Sequence, residues 1–186
     1  VTICNNTAWY EGGGVCMAAS GLSGKIQAFY NCTIANNYAI AEGGGVRRPT
    51  GTLRFYSTII AGNMSATAQK DIYAAAVAVC SNSIVGDRTG CPSSVAAGTP
   101  NAQGSYVGTS SAPVDPRLMS PADNGGPTKT LAFRVGSPAL NHGSNVAGLS
   151  TDQRGTPFAR TWSASADIGA FEYGPFPTSG AFFKMY

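Results

Sequence analysis

Two motifs recur in a single register, and together they limit what this chain can fold into more than any other feature. Thr2-Ile3-Cys4-Asn5-Asn6 returns as Thr33-Ile34-Ala35-Asn36-Asn37, and Glu11-Gly12-Gly13-Gly14-Val15 returns as Glu42-Gly43-Gly44-Gly45-Val46, both at an offset of 31. The frame continues in Ile59-Ile60-Ala61-Gly62-Asn63 and in Ser83-Ile84-Val85-Gly86-Asp87, where the offset from Asn37 to Asn63 is 26 and that from Asn63 to Asp87 is 24. A period that drifts in this way suits stacked coils whose strands stay in step while the turns between them vary in length.

Within each unit the apolar pieces are short and β-branched: Val1-Thr2-Ile3, Cys32-Thr33-Ile34, Leu53-Arg54-Phe55 and Thr58-Ile59-Ile60. No stretch sustains a helical period. Asn pairs and Gly triplets disfavour helix interiors but readily take up the left-handed backbone of a corner. Parallel strands need crossovers, and a coil of strands without helices meets that need. The expected fold is therefore all-β, a parallel β-helix, right-handed by the general rule for parallel crossovers. An antiparallel sandwich is the competitor, but it would show Asn-Gly hairpins instead of matched Gly triplets. The frame predicts that Ile3, Ile34, Ile60 and Ile84 share an interior column. It also predicts that Asn6, Asn37, Asn63 and Asp87 stack as a ladder at one corner, each side chain bonding the next and satisfying turn backbone.

Composition narrows the class further. Of 186 residues, 43% are hydrophobic and only 11% charged, with 24 Gly, so polarity comes from small neutral side chains, as in secreted β-rich proteins. The formal charge of +3 is spread over 12 Lys and Arg with only Arg47-Arg48 adjacent, which gives no basic track for nucleic acid. Apolar runs such as Ala74 to Val79 fall far short of the roughly 20 residues that cross a bilayer. Val1 is not a start methionine, and earlier repeats with a targeting segment are expected upstream. The five Cys form no CxxC and have one His for company, which argues against a zinc site; no metal or cofactor is expected. Cys80 and Cys91 are spaced to close a short disulfide loop, and five free thiols are the alternative.

The chain divides into coils over 1–90, a loop-rich connection over 91–112, a different module over 113–173 and an aromatic tail over 174–186. The third part carries Asp115-Pro116-Arg117, Asp123-Asn124-Gly125-Gly126-Pro127-Thr128, Gly136-Ser137-Pro138-Ala139-Leu140, Thr151-Asp152-Gln153-Arg154-Gly155 and Asp167-Ile168-Gly169-Ala170-Phe171-Glu172. With the Asn- and Gly-rich coils, these motifs resemble the C-terminal region of bacterial surface β-helix proteins of the choice-of-anchor or polymorphic outer-membrane type. The resemblance implies a right-handed β-helix at the cell surface, mostly without assigned chemistry. Three positions depart from it. Asn141 stands where the pattern has a carboxylate, and Ser150 and Ala166 stand where many relatives carry Cys, which implies one disulfide fewer.

An open β-helix end exposes apolar side chains and unpaired edges, so the 113–173 module is expected to be an end cap. Asp152, Arg154, Asp167 and Glu172 are expected to belong to a buried or half-buried ion-pair network that pins it, since the planar fork of Arg suits such a network. The alternative makes them a catalytic or metal cluster. The tail residues Phe176, Phe182, Phe183 and Tyr186 are expected to form a contact surface, on a neighbouring subunit or on the coils.

Parallel β-helices also include polysaccharide lyases and hydrolases, whose chemistry needs converging carboxylates, or a base with cation stabilisation. The coils offer only Glu11, Glu42, Asp71 and Asp87. Glu11 and Glu42 occupy equivalent positions one coil apart, close enough to share a cation or bind sugar hydroxyls; the simpler and preferred reading makes each a solvated residue entering a glycine turn, with a nearby Lys or Arg screening the repulsion. His142 has no nucleophile elbow beside it and is expected to pack in a loop. The sequons at Asn5, Asn31 and Asn63 are read as coincidental. The expected function is a non-catalytic extracellular structural or adhesive module in a cell-surface, sheath or filament assembly. Its expected partners are copies of itself or other surface proteins, and polysaccharide is a further candidate; the runner-up is a carbohydrate-active β-helix.

Overall fold

The computed structural model describes residues 1–17, 21, 23–67 and 70–174. Its short β-branched segments form strands that pair in parallel, each with the strand one coil away, and build an all-β solenoid of about three turns. One sheet contains, in spatial order, β1 (Thr2–Cys4), β5 (Thr33–Ala35), β8 (Ile59–Ala61), β11 (Ile84–Val85) and β12 (Tyr106–Val107). A second contains β2 (Thr7–Ala8), β6 (Tyr38–Ala39) and β9 (Met64–Ser65). In the third, β7 (Val46–Tyr56) lies between β10 (Ile72–Ser81) and the pair β3 (Val15–Cys16) and β4 (Ile26–Tyr30). The chain between β3 and β4 is longer than the stretch of β7 it faces, so the repeat shortens from 31 to 26 after the first coil.

The interior column is Ile3, Ile34, Ile60, Val85 and Val107, not the Ile84 expected from the motif frame. The third interval is 25 residues, so Ile84 pairs with Ile59 and Val85 with Ile60. Strand side chains alternate between faces, so this one-residue difference sends Ile84 outward. The doubled Ile59-Ile60 has the same explanation: one isoleucine fills the solenoid and its neighbour faces the opposite way, where it is equally buried.

The corners follow a two-residue rule. Asn5, Asn36 and Gly62 lie in line with φ of 57°, 57° and 68°, so the first residue of each Asn-Asn or Gly-Asn pair makes the left-handed turn. The second residue makes the ladder. Asn6 Nδ2 donates to Asn37 Oδ1 at 2.9 Å and Asn37 Nδ2 to Asn63 Oδ1 at 2.9 Å, and the backbone N–H of each upper residue donates to the same oxygen. Each lower amide also reaches back, Asn37 Nδ2 to the Ile3 carbonyl and Asn63 Nδ2 to that of Ile34.

Asp87 is not the next rung. Its line is that of Gly62, and its carboxylate instead accepts from the N–H and hydroxyl of Thr89. The ladder ends on Asp71, which takes the place in the stack held by Gly14 and Gly45 in the earlier coils. Asp71 accepts from Asn63 N, Asn63 Nδ2 and, through its second oxygen, Asp87 N at 2.7 Å. A residue that only accepts is the natural terminus for a chain of donated bonds.

A second ladder was not foreseen. Thr58 Oγ1 accepts from Cys32 N, Ser83 Oγ from Thr58 N and Ser105 Oγ from Ser83 N, while the three hydroxyls donate to the carbonyls of Tyr56, Ser81 and Cys80. It follows a second left-handed corner at Asn31, Ser57, Asn82 and Gly104.

The 113–173 module does not close an end. It lies along the outer face of the five-stranded sheet, where Ala132, Phe133, Ala139, Ile168 and Phe171 cover Ile59, Ala61 and Ile84. Its contacts run from the first coil, Thr2 to Gln153, through Thr33 to Ala170 and Ser57 to Gly169, down to Tyr106 against His142. That sheet has both faces buried and therefore needs a cover along its whole height. The far end of the solenoid is closed instead by the 91–112 segment, which is more than a surface loop: it supplies β12 and inserts Val95, 1% exposed, beneath Val77, Cys80 and Val107.

Replacing a mid-ladder residue strands three partners, whereas replacing the top one strands none that lacks another donor. Asn37→Ala is expected to lower unfolding free energy by about 2–4 kcal/mol and Asn6→Ala by less than about 1 kcal/mol in urea denaturation. Equal losses at the two positions would refute the ladder.

Candidate functional site

The first candidates for catalysis or binding are the acidic side chains. All nine Asp and Glu side chains have an intramolecular partner. Glu11 and Glu42 face one cation: Arg47 contacts Glu11 at 2.9 Å and Glu42 at 3.7 Å, and stacks on Tyr73. One cation thus bridges the pair beside the glycine turns that lead into the third sheet. Asp115 and Asp123 accept from backbone N–H groups two residues on, as turn formers do. Asp71 and Asp87 belong to the corner described above.

The remaining three acids converge with two arginines in the C-terminal module. Arg154 lies between the rings of Phe158 and Phe171, with its guanidinium carbon 3.8 Å and 4.0 Å from their centres, and pairs with Asp152 at 2.7 Å. It also donates to the Glu172 carbonyl, and Glu172 N donates back to Asp152. Asp167 uses both oxygens on backbone, accepting from Asn141 N and Tyr173 N. The four residues expected to form a network are therefore brought together, buried at 2–6% exposure.

Arg160 is the member that sequence reasoning missed. It is 1% exposed, pairs with Glu172 at 2.7 Å, and donates to the carbonyls of Gly169 and Asp167. Charge balance held the signal, because three buried acids need more than one cation, and Arg160 is the one Lys or Arg between Arg154 and Lys184. Apart from Arg160 Nε, which is buried without a hydrogen bond, the charged groups of this cluster serve the backbone or one another. The adjoining cavity, lined by Arg154, Phe158 and Trp162, is about 10 Å³, no larger than a water. The arginines and acids are thus engaged with this module's own backbone and with one another.

The larger hollow, about 300 Å³, is a shallow depression lined by Asp115, Arg117, Leu118, Arg134 and Val135, with Asp115 already used in its turn. His142 is exposed, edge-on to Tyr106 at 5.2 Å. All five cysteines are free thiols, and burial pushes Cys80 up to about 11 and raises Cys91 further, so neither is a ready nucleophile. Of the sequon asparagines, Asn31 and Asn63 are each 3% exposed and engaged in hydrogen bonds, while Asn5 is exposed. Among the described residues no group of three or more His, Cys, Asp or Glu is placed to hold a metal ion, and no helix is long and apolar enough to cross a membrane. Phe176, Phe182, Phe183 and Tyr186 lie outside the described residues. Compared with protein-family models, curated proteins and solved structures, the chain matches none.

Burial pushes Glu172 up to about 8 even with Arg160 beside it, and pushes Asp71 up to about 6 against its hydrogen bonds. A carboxyl whose folded pKa is raised binds its proton more tightly in the folded chain. Its contribution to stability is complete below the ordinary pKa, 4.5 for Glu and 3.8 for Asp, and is lost as the pH rises through the folded value. The melting temperature is therefore expected to fall between about pH 4.5 and 8, the part above 6 belonging mainly to Glu172. Glu172→Gln should flatten the curve between pH 6 and 8 in scanning calorimetry; an unchanged slope contradicts the assignment. Arg160→Met leaves the Gly169 and Asp167 carbonyls and the Glu172 carboxyl buried without their donor and is expected to cost about 2–4 kcal/mol in urea denaturation, whereas a loss below about 1 kcal/mol would exclude these bonds as stabilising contacts.

Proposed function

We propose that this chain is a non-catalytic structural or adhesive β-helix module of an extracellular or cell-surface assembly. The observation that supports this most directly is the engagement of all nine carboxylates within the chain, on cations, backbone N–H groups or neighbouring side chains. Glycoside hydrolysis needs two carboxylates facing a substrate-sized space, and a lyase needs a base beside a cation held open for an acidic sugar. The converging acids here are buried with their arginines beside a space the size of one water.

The low content of charge and the abundance of Gly, Ser, Thr and Asn support secretion, and the motif resemblance of the 113–173 module supports a bacterial cell-surface setting and a right-handed coil. In such a setting the solenoid would serve as a rigid rod segment, its repeated outer strands presenting a regular surface to copies of itself, to other surface proteins or to polysaccharide. A panel of acidic and neutral polysaccharides, followed by reducing-end release and by the absorbance of unsaturated uronates, tests the reading. No turnover above the protein-free blank is expected, and turnover that disappears on heat unfolding of the chain would overturn it.

A further inference from the structure

Among the described residues, seven other than glycine hold a positive φ. Five are Asn, which takes the left-handed backbone at little cost, and one is Ser57, whose hydroxyl is fixed on Ser144. The seventh is Arg117, at φ 55°. An Asn would make the same turn with less strain, and a strained residue that persists points to a use for its side chain.

That side chain is little used within the chain. Arg117 Nη1 lies over Gly136, where an added Cβ would come within 2.7 Å of it, and donates to the Val135 carbonyl at 3.3 Å. Gly136 keeps φ at 80° in the turn that Ser137 N closes on the Arg134 carbonyl. Arg134 stands opposite Arg117: its N–H donates to the Arg117 carbonyl at 3.0 Å, next to the antiparallel bridge from Leu118 to Phe133. Both arginines are exposed and line the depression of about 300 Å³. Like charges set opposite each other in this way repel. Nothing among the described residues answers them. The Arg134 guanidinium has no hydrogen bond or ion pair there, and Asp115, the one acid lining the depression, accepts from Arg117 N and pairs with neither guanidinium.

We propose that this depression is a carboxylate-binding site for a uronate residue of an acidic polysaccharide. Arg117 and Arg134 are the two forks around the carboxylate, and Val135 lies against the sugar ring. Two guanidinium planes suit the two oxygens of a carboxylate, and binding it removes their mutual repulsion. Val135, 72% exposed, offers an apolar contact to the C–H face of a ring, which a free inorganic anion would not use. The depression is shallow, so it receives one residue of a chain that continues past it and does not enclose a small molecule. The formal charge of +3 favours an anionic partner. The proposal rests on the adhesive reading and names the class of polysaccharide for it. The two fail separately: absence of binding here leaves a non-catalytic module, whereas turnover of the same polymer overturns the function and leaves the site.

The test titrates the isotope-labelled full chain with an oligomer of galacturonic acid at low ionic strength, following backbone amide and Arg Nε–H signals by NMR. Saturable shifts are expected at Arg117, Leu118, Arg134 and Val135. The methyl-esterified oligomer keeps the ring and loses the charge, and is expected to bind at least about tenfold more weakly. Arg117→Asn keeps a residue suited to the left-handed turn and removes the guanidinium, so it should lose binding by about the same factor while its melting temperature does not fall. Arg134→Gln should lose binding equally. Lys129→Gln removes an exposed cation of the same module that does not line the depression, and should leave binding unchanged. No saturable binding would overturn the proposal, as would shifts centred elsewhere, equal binding of the ester or of a glutamate oligomer, or an equal loss on Lys129→Gln.

Discussion

At a corner of a solenoid the chain leaves one sheet before it joins the next, and backbone N–H groups there can be left with no strand to pair with. In an interior of this kind each such group left without a partner would cost about as much as a lost hydrogen bond. This chain resolves the problem at two of its corners with side chains stacked from coil to coil, amides at one and hydroxyls at the other, while at the glycine-rich corner the N–H groups of Gly12, Gly13 and Gly14 bond the backbone of the next coil. Each rung accepts from the backbone of the coil above it, so the fixing of one coil fixes the next. The aliphatic column can then settle into a single alignment, because a slip of one residue would break both ladders as well as turn the column inside out.

The small residues around these rungs are required by them. Gly14 and Gly45 sit where the amides of Asn37 and Asn63 pass, and a side chain at Gly44 would collide with the Met64 carbonyl. When the stack needs an end, the place of the glycine is taken by Asp71, whose carboxylate fills the same space and accepts without donating. The flank is settled by a separate balance. The five-stranded sheet is apolar on both sides, and its outer side is covered by a module too irregular to hold itself by strands. Buried ion pairs around Arg154 and Arg160 tie that module's turns together through backbone carbonyls and N–H groups. Pairs of this kind are costly to break, yet they also impose one geometry on a segment with almost no regular structure.

Much of this was legible in the residues. The matched Asn pairs and Gly triplets specified parallel coils, and the acids and arginine near the C-terminus specified a buried network. What was misread followed from one interval. Taking Asp87 as the fourth rung makes the third repeat one residue too short, and that choice puts Ile84 inside; the doubled Ile59-Ile60 held the correction, since two adjacent buried isoleucines need two buried faces. A cover on the flank could have been read from the same doublet. Asp71 and the hydroxyl rungs were hidden for a different reason: Ser, Thr and a lone Asp are common in turns, and only the register shows which of them line up. Arg160 carried no motif, and only the excess of buried negative charge around it pointed to its place.

The central claim is that the coils stack in parallel with Ile3, Ile34, Ile60, Val85 and Val107 in one column and Ile59 and Ile84 on the opposite face, under the C-terminal module. Methyl–methyl nuclear Overhauser contacts on Ile- and Val-labelled protein test it most directly. The account predicts that Ile60 shows contacts to Ile34 and Val85, and that Ile59 and Ile84 show contacts to each other and to Ile168. Contacts from Ile60 to Ile84 and Ile168, with none to Val85, would contradict the stacking from which the ladders and the flank cover both follow.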